Sequence, residues 1–141
     1  MRIGEVARSA GVSTKTVRYY ESLGLFTVDR LANGYRDYDR SHVELVREIQ
    51  SLSTLGIGAE QTRPFLDCLV AGNSRGDDCT ESLATYAQTI DALDRRIAQL
   101  QSRRAALAEL ATDASARSRP LCEFAPLAID PDATSNTKEE H

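Results

Sequence analysis

The sequence predicts a mainly α-helical chain: an N-terminal winged helix-turn-helix domain, then a long dimerisation helix that pairs as a coiled coil, then a short C-terminal effector segment. Three observations carry this prediction. Two short amphipathic stretches lie on either side of Gly11. An Asn33-Gly34 pair follows them between short β-compatible runs. A heptad pattern then extends from Leu83 to Ala111.

Each element has a local reason. Ile3, Val6, Ala7 and Ala10 recur at helical spacing and Gly11 stops that helix. Ser13 is suited to cap the next helix, about Thr14 to Leu23, with Val17, Tyr20 and Leu23 on one face and Gly24 as its stop. Asn and Gly both tolerate positive φ, so Asn33-Gly34 predicts a hairpin of strands Thr27–Leu31 and Tyr35–Tyr38, which is a wing. A third helix follows, capped by Ser41 or Asp39, with the stripe Val43, Val46, Ile49, Leu52 and Leu55, and it ends at Gly56. Pro64 interrupts the fourth, within Gly58–Ala71. Proline inside a helix lacks a donor and clashes with the preceding turn, so a kink is expected there, or a restart with Thr62 as cap and Arg63 as first residue. The domain boundaries read as 1–71 for the winged domain with its helical connector, 72–78 for a linker, 79–113 for the dimerisation helix, 114–129 for an effector-type segment and 130–141 for a polar, disordered tail.

On the long helix, Leu83, Tyr86, Ile90, Leu93, Ile97, Leu100 and Leu107 alternate at three and four residues, with Arg104 in the one gap. That is an a/d seam. One helix cannot bury such a seam, whereas one from each of two subunits can. Arg104 is placed to snorkel or to pair with an acidic residue of the partner.

Bulk properties narrow the class. The chain has 141 residues and a net charge of −4, and no apolar run approaches the roughly 20 residues that cross a bilayer. The N-terminus has no signal-peptide core, so a cytoplasmic protein without a membrane partner is expected. The charge is uneven: residues 1–57 carry 8 Lys/Arg and 7 Asp/Glu, residues 58–141 carry 9 and 14. A locally basic head is compatible with nucleic acid despite the acidic total. No Ser/His/Asp set, phosphate-binding glycine loop or paired metal-ligand motif is present, and the two histidines, a surface His42 and a terminal His141, supply no general base. An enzyme is excluded on that basis. Three cysteines, Cys68, Cys79 and Cys122, favour metal, redox or buried-thiol roles over a disulfide framework in a reducing compartment.

With the blocks "IGEVARSAGVSTKTVRYYESLGL" and "NGYRDYDRSHVELVREIQSLSTLGIG", followed by the heptad helix, the chain resembles the MerR family of bacterial transcription regulators over Met1 to Leu110. The resemblance implies a homodimer with winged heads and an antiparallel coiled coil. It implies partners too: double-stranded promoter DNA with an over-long spacer, which the activated dimer bends and untwists, and RNA polymerase. It places Arg18 and Tyr19 toward DNA while Tyr20 turns inward, Thr14 and Lys15 at base edges, and Tyr35 and Arg36 of the wing motif on backbone phosphates, with Tyr38 packed inside. Taken alone, the same arginines read as solvated charges and the tyrosines as core.

Resemblance to metal-sensing members puts Cys79 just before the long helix and Cys122 in a loop beyond it, as ligands of a divalent, zinc-like ion across the dimer. The match is incomplete, because Thr112 or Asp113 stands where a second loop cysteine falls. The iron–sulfur four-cysteine cluster and the copper(I) loop pattern are both absent. Cys68 reads either as an apolar filler beside Phe65, Leu66 and Leu69 or as a disulfide partner for Cys79, which makes a thiol redox sensor. A small organic ligand near Tyr86 and Phe124, or no effector at all, stays open beside these. Too few residues remain after the long helix for a bulky-ligand domain.

Overall fold

The computed structural model describes residues 1–118; Cys122, Phe124 and the segments expected beyond residue 118 lie outside them. The chain divides into two units, the first Met1–Asp91 and the second beginning at Ala92.

Helix α1 spans Ile3–Ala10 and α2 spans Thr14–Ser22. Glu5 reaches back to accept from the backbone N–H of Arg2, and Ser13 Oγ accepts from Thr16 N at 3.1 Å, so orphan donors at both helix starts are satisfied. Gly11, at φ 75°, takes the left-handed turn between the helices. Val6, Ala7, Val17 and Tyr20 are buried together.

The wing is shorter than expected. Strands β1 (Asp29–Arg30) and β2 (Arg36–Asp37) pair antiparallel, with Asp29 opposite Asp37 and Arg30 opposite Arg36. The turn is locally complete: Gly34 N donates to Leu31 O, and the Asn33 side chain accepts from Tyr35 N at 3.1 Å.

Helix α3 (Arg40–Ser53) is capped by Asp39, which accepts from Ser41 N at 2.9 Å. Val43, Val46, Ile49 and Leu52 are buried on it, as is Leu45. Leu55 does not join the stripe: it lies past the helix end and is 64% exposed, while Ile57 turns into the core after Gly56. His42 also departs from the surface role expected of it. Its Nδ1 accepts from Asp39 N at 3.0 Å, which leaves Nε2 to donate to Thr27 O at 2.8 Å, and its ring sits edge-on to Phe26 and Tyr38. It wedges the wing approach against α3.

Pro64 is accommodated by a restart. A 3-10 turn covers Ala59–Thr62, and α4 begins at Arg63 and runs to Val70. Proline in a first turn forfeits no intrahelical bond. Thr62 occupies the cap position, but its hydroxyl donates back to Ala59 O instead of capping.

The linker expected at 72–78 is a loop fastened at several points. Cys68 and Cys79 are joined by a disulfide with their Cα atoms 6.0 Å apart. Asn73 Nδ2 donates to Cys68 O, Ser82 Oγ donates to Gly76 O at 2.5 Å, and Tyr86 OH donates to Asp77 Oδ2 at 2.9 Å. Gly76 is needed for space: a Cβ there would run into the Glu48 carboxylate and Phe65. Arg75, 2.8 Å from Asp77, and the Tyr86 hydroxyl hold the Asp77 carboxyl down at about 2. Glu48 faces the same loop, and burial, then Asp77, push its carboxyl up.

Helix α5 spans Thr80–Arg117, 38 residues or about 57 Å at 1.5 Å each. It is longer than expected and takes residues 114–117 from the effector segment. Ser82 and Thr85 are buried at its start. Tyr86 leaves the seam to pack on Phe65, ring centroids 5.2 Å apart. No helix among the described residues is long and apolar enough to cross a membrane.

Because the folded state raises the Glu48 carboxyl, its contribution favours folding at low pH and is lost as pH rises through the folded value. Glu48→Gln is therefore expected to raise Tm at pH 7, with the gain gone below about pH 4, where both states hold the proton. Melts at the two pH values check this; a lower Tm at pH 7 contradicts it.

Candidate nucleic-acid interface

Helix α2 sorts its residues by face. Val17 and Tyr20 point into the core, and Lys15, Arg18 and Tyr19 point out. The side-by-side tyrosines separate accordingly: Tyr20 OH donates to Gln50 Oε1 at 3.2 Å on α3, while Tyr19 is 53% exposed. Thr14 stands half-buried in the first turn.

Glu21, on the last turn of α2, fastens the wing to this helix. Its carboxylate oxygens lie 3.0 and 3.1 Å from Arg36 Nε, and it accepts from Tyr38 OH at 3.1 Å. Burial and then the Glu21 charge push the Tyr38 hydroxyl up to about 12, so it stays a donor. Arg36 thus commits its Nε to Glu21. Tyr35 is exposed on the wing, with the Arg2 guanidinium 4.6 Å above its ring. Arg30 spans the hairpin and donates to Gly34 O at 2.8 Å.

These groups line one cleft of about 360 Å³ bounded by Arg2, Ile3, Arg18, Arg30, Gly34, Tyr35, Arg36 and Tyr38. Four arginines converge there, and only Arg36 has a carboxylate partner among the described residues. Such a site suits a phosphate backbone. Sequence reasoning missed Arg2 and Arg30. The hairpin register was the available signal for Arg30, since a loop at 32–34 sets residue 30 opposite 36; Arg2 had only its place beside α1.

The cysteines are placed differently. Cys68 is 2% exposed and Cys79 is half-buried, with Asn73 Nδ2 3.6 Å from its sulfur. Cys122 lies outside the described residues. Metal ligation needs thiolates, and disulfide sulfurs carry no such charge. Among the described residues no group of three or more His, Cys, Asp or Glu is arranged to hold an ion. In its bridged form this donor set does not fit a divalent metal.

The family model for the MerR HTH family regulatory protein matches residues 1–67. The chain is 35% identical over 123 residues to the HTH-type transcriptional regulator HmrR of Rhizobium leguminosarum bv. viciae, an alignment that covers 86% of this chain and 92% of that one. The chain belongs to the MerR family. This MerR-family chain is also 33% identical over 123 residues to heavy metal-dependent transcription regulator 2 of Rhizobium meliloti (strain 1021), covering 86% of this chain and 82% of the relative. Among solved structures, the transcription regulator PbrR691 from Ralstonia metallidurans CH34 in complex with lead(II) superposes with a TM-score of 0.63, at 26% identity, over 86% of this chain and 94% of that chain. The family is one of transcriptional regulators and not of enzymes.

Two substitutions separate contact from positioning. Arg18→Ala is expected to weaken binding to a promoter fragment by at least about 1 kcal/mol and to lower the salt slope by about 1. Glu21→Ala is expected to weaken binding too, although it removes a negative charge from the interface, because it frees the wing. Fluorescence anisotropy at two salt concentrations checks both, and tighter binding by Glu21→Ala contradicts the clamp.

Proposed function

We propose that this MerR-family regulator works as a homodimer on promoter DNA, distorting the spacer so that RNA polymerase can engage, in response to a signal read by cysteine thiols. The observation that carries the DNA part is the convergence of exposed α2 residues and the arginine-lined wing cleft around the Glu21 clamp. Lys15 and Thr14 read base edges, while Arg18, Tyr19 and Tyr35 meet phosphates. Distorting the spacer costs several kcal/mol, roughly 1–6 by elastic estimates, so the signal must alter dimer geometry as well as affinity. The exposed residues Leu83, Ile90, Leu93, Ile97, Leu100 and Leu107 supply the dimer surface, each 49% exposed or more. The cytoplasm is the compartment in which such a regulator meets DNA and keeps its thiols reduced.

The signal is a metal ion in this reading. Support comes from the relative named as heavy metal-dependent and from the lead(II) complex of a structural neighbour. Reduced Cys79, with Cys122, is the donor pair, and soft or borderline divalent ions are the chemistry that thiolates select. The test is an anaerobic zinc titration of the reduced chain, counting bound metal while tracking alkylation of each cysteine. Joint protection of Cys79 and Cys122 near one ion per subunit is expected; no tight zinc, or protection of neither cysteine, contradicts the metal reading.

A further inference from the structure

We propose that Cys68 and Cys79 form a reversible thiol switch acted on by low-molecular-weight disulfides, and that closing it withdraws the Cys79 sulfur from metal ligation. The second half rests on the metal reading above; the first does not.

The two cysteines differ in access. Cys68, on the last turns of α4, is buried at 2% exposure. Cys79, immediately before α5, is only half-buried and stands at a cleft of about 450 Å³ that Cys68 also borders, with Arg63, Pro64, Asp67 and Glu81 in its walls. An incoming oxidant therefore meets Cys79 first and Cys68 second. The Cys79 thiolate attacks one sulfur of R–S–S–R, forming a mixed disulfide and releasing R–S⁻. The Cys68 thiolate then attacks the Cys79 sulfur, and the second R–S⁻ leaves. Two cysteine thiols lose two electrons and two protons, and the oxidant becomes two R–SH.

The surroundings hold the pair ready without depending on the bond. Asn73 Nδ2 donates to Cys68 O at 2.9 Å and lies 3.6 Å from Cys79 Sγ, so one side chain spans both cysteines. The start of α5 has independent fastenings in Ser82 to Gly76, Tyr86 to Asp77 and the Phe65–Tyr86 ring contact. The junction therefore keeps its fold with the bridge open, as a switch requires. The cleft wall also reaches the region after α2: Arg63 Nη2 donates to Gly24 O at 2.8 Å.

The experiment exposes the full chain to oxidised or reduced glutathione, quenches with acid, alkylates and maps peptides by mass, then measures zinc uptake on each form. A Cys68–Cys79 linked peptide is expected under oxidised glutathione and its loss under reduced glutathione, with Cys122 alkylated throughout. Zinc uptake should fall at least tenfold in the linked form and return under reduced glutathione, and Cys68→Ala under oxidised glutathione should stop at the Cys79–glutathione mixed disulfide. No linked peptide, or one that a hundredfold excess of reduced glutathione leaves intact, overturns the switch. If the bridge cycles but the reduced chain takes no zinc, the metal reading fails by itself. Promoter affinity then decides: a change of threefold or more between the two forms supports the switch, and equal affinities overturn it.

Discussion

A helix with an apolar face cannot keep that face in water, and α5 is the element to which this constraint applies. A helix within a protein owes most of its stability to packing of an amphipathic face. Yet Leu83, Ile90, Leu93, Ile97, Leu100, Leu107 and Leu110 are all about half exposed or more along α5. Covering a Leu or Ile contributes roughly 1.5–3 kcal/mol. Among the described residues, the seam is therefore a row of apolar side chains left uncovered. The proposed dimer follows from that constraint, and a pair of DNA-reading heads follows from the dimer. Tyr86 marks where the seam gives way to the folded head, because it turns back to Phe65 and Asp77.

Charge in the head is used for placement as much as for attraction. Glu21 sits against Arg36 of the cleft proposed to meet DNA, where an acid looks out of place. Its bonds to Arg36 and Tyr38 tie the wing to α2. Asp77 does the same at the other end of the first unit, gathering Arg75 and Tyr86 beside the start of α5. An acidic chain can still carry a slightly basic head, because its excess of Asp and Glu lies in residues 58–141.

Much of the fold was legible because its signals are local. Gly11, Ser13, Asn33-Gly34, Asp39 and Pro64 each act within a turn, and each marks a boundary that the structure keeps. What was not legible depends on partners distant in sequence. His42 looked like a surface residue until Thr27, Phe26 and Tyr38 surrounded it. Gly76 looked like loop punctuation, but its lack of a side chain admits Glu48 and Phe65. The outward turn of Arg18 and Tyr19 could be read from periodicity and resemblance, whereas the Glu21 clamp and Arg2 above Tyr35 could not. The Cys68–Cys79 pairing was one of two readings for Cys68, and only the path of the loop between α4 and α5 brings the sulfurs together.

The central claim is that the α5 seam joins two chains, and sedimentation equilibrium tests it most directly. The full chain, 15.5 kDa as a monomer, is compared with an Ile97→Asp, Leu100→Asp variant at micromolar concentration under reducing conditions. The account predicts a mass near twice the monomer for the parent, and a shift toward monomer in the variant with the head's helical signal retained. A monomeric parent, or a variant that dimerises as tightly as the parent, would contradict it.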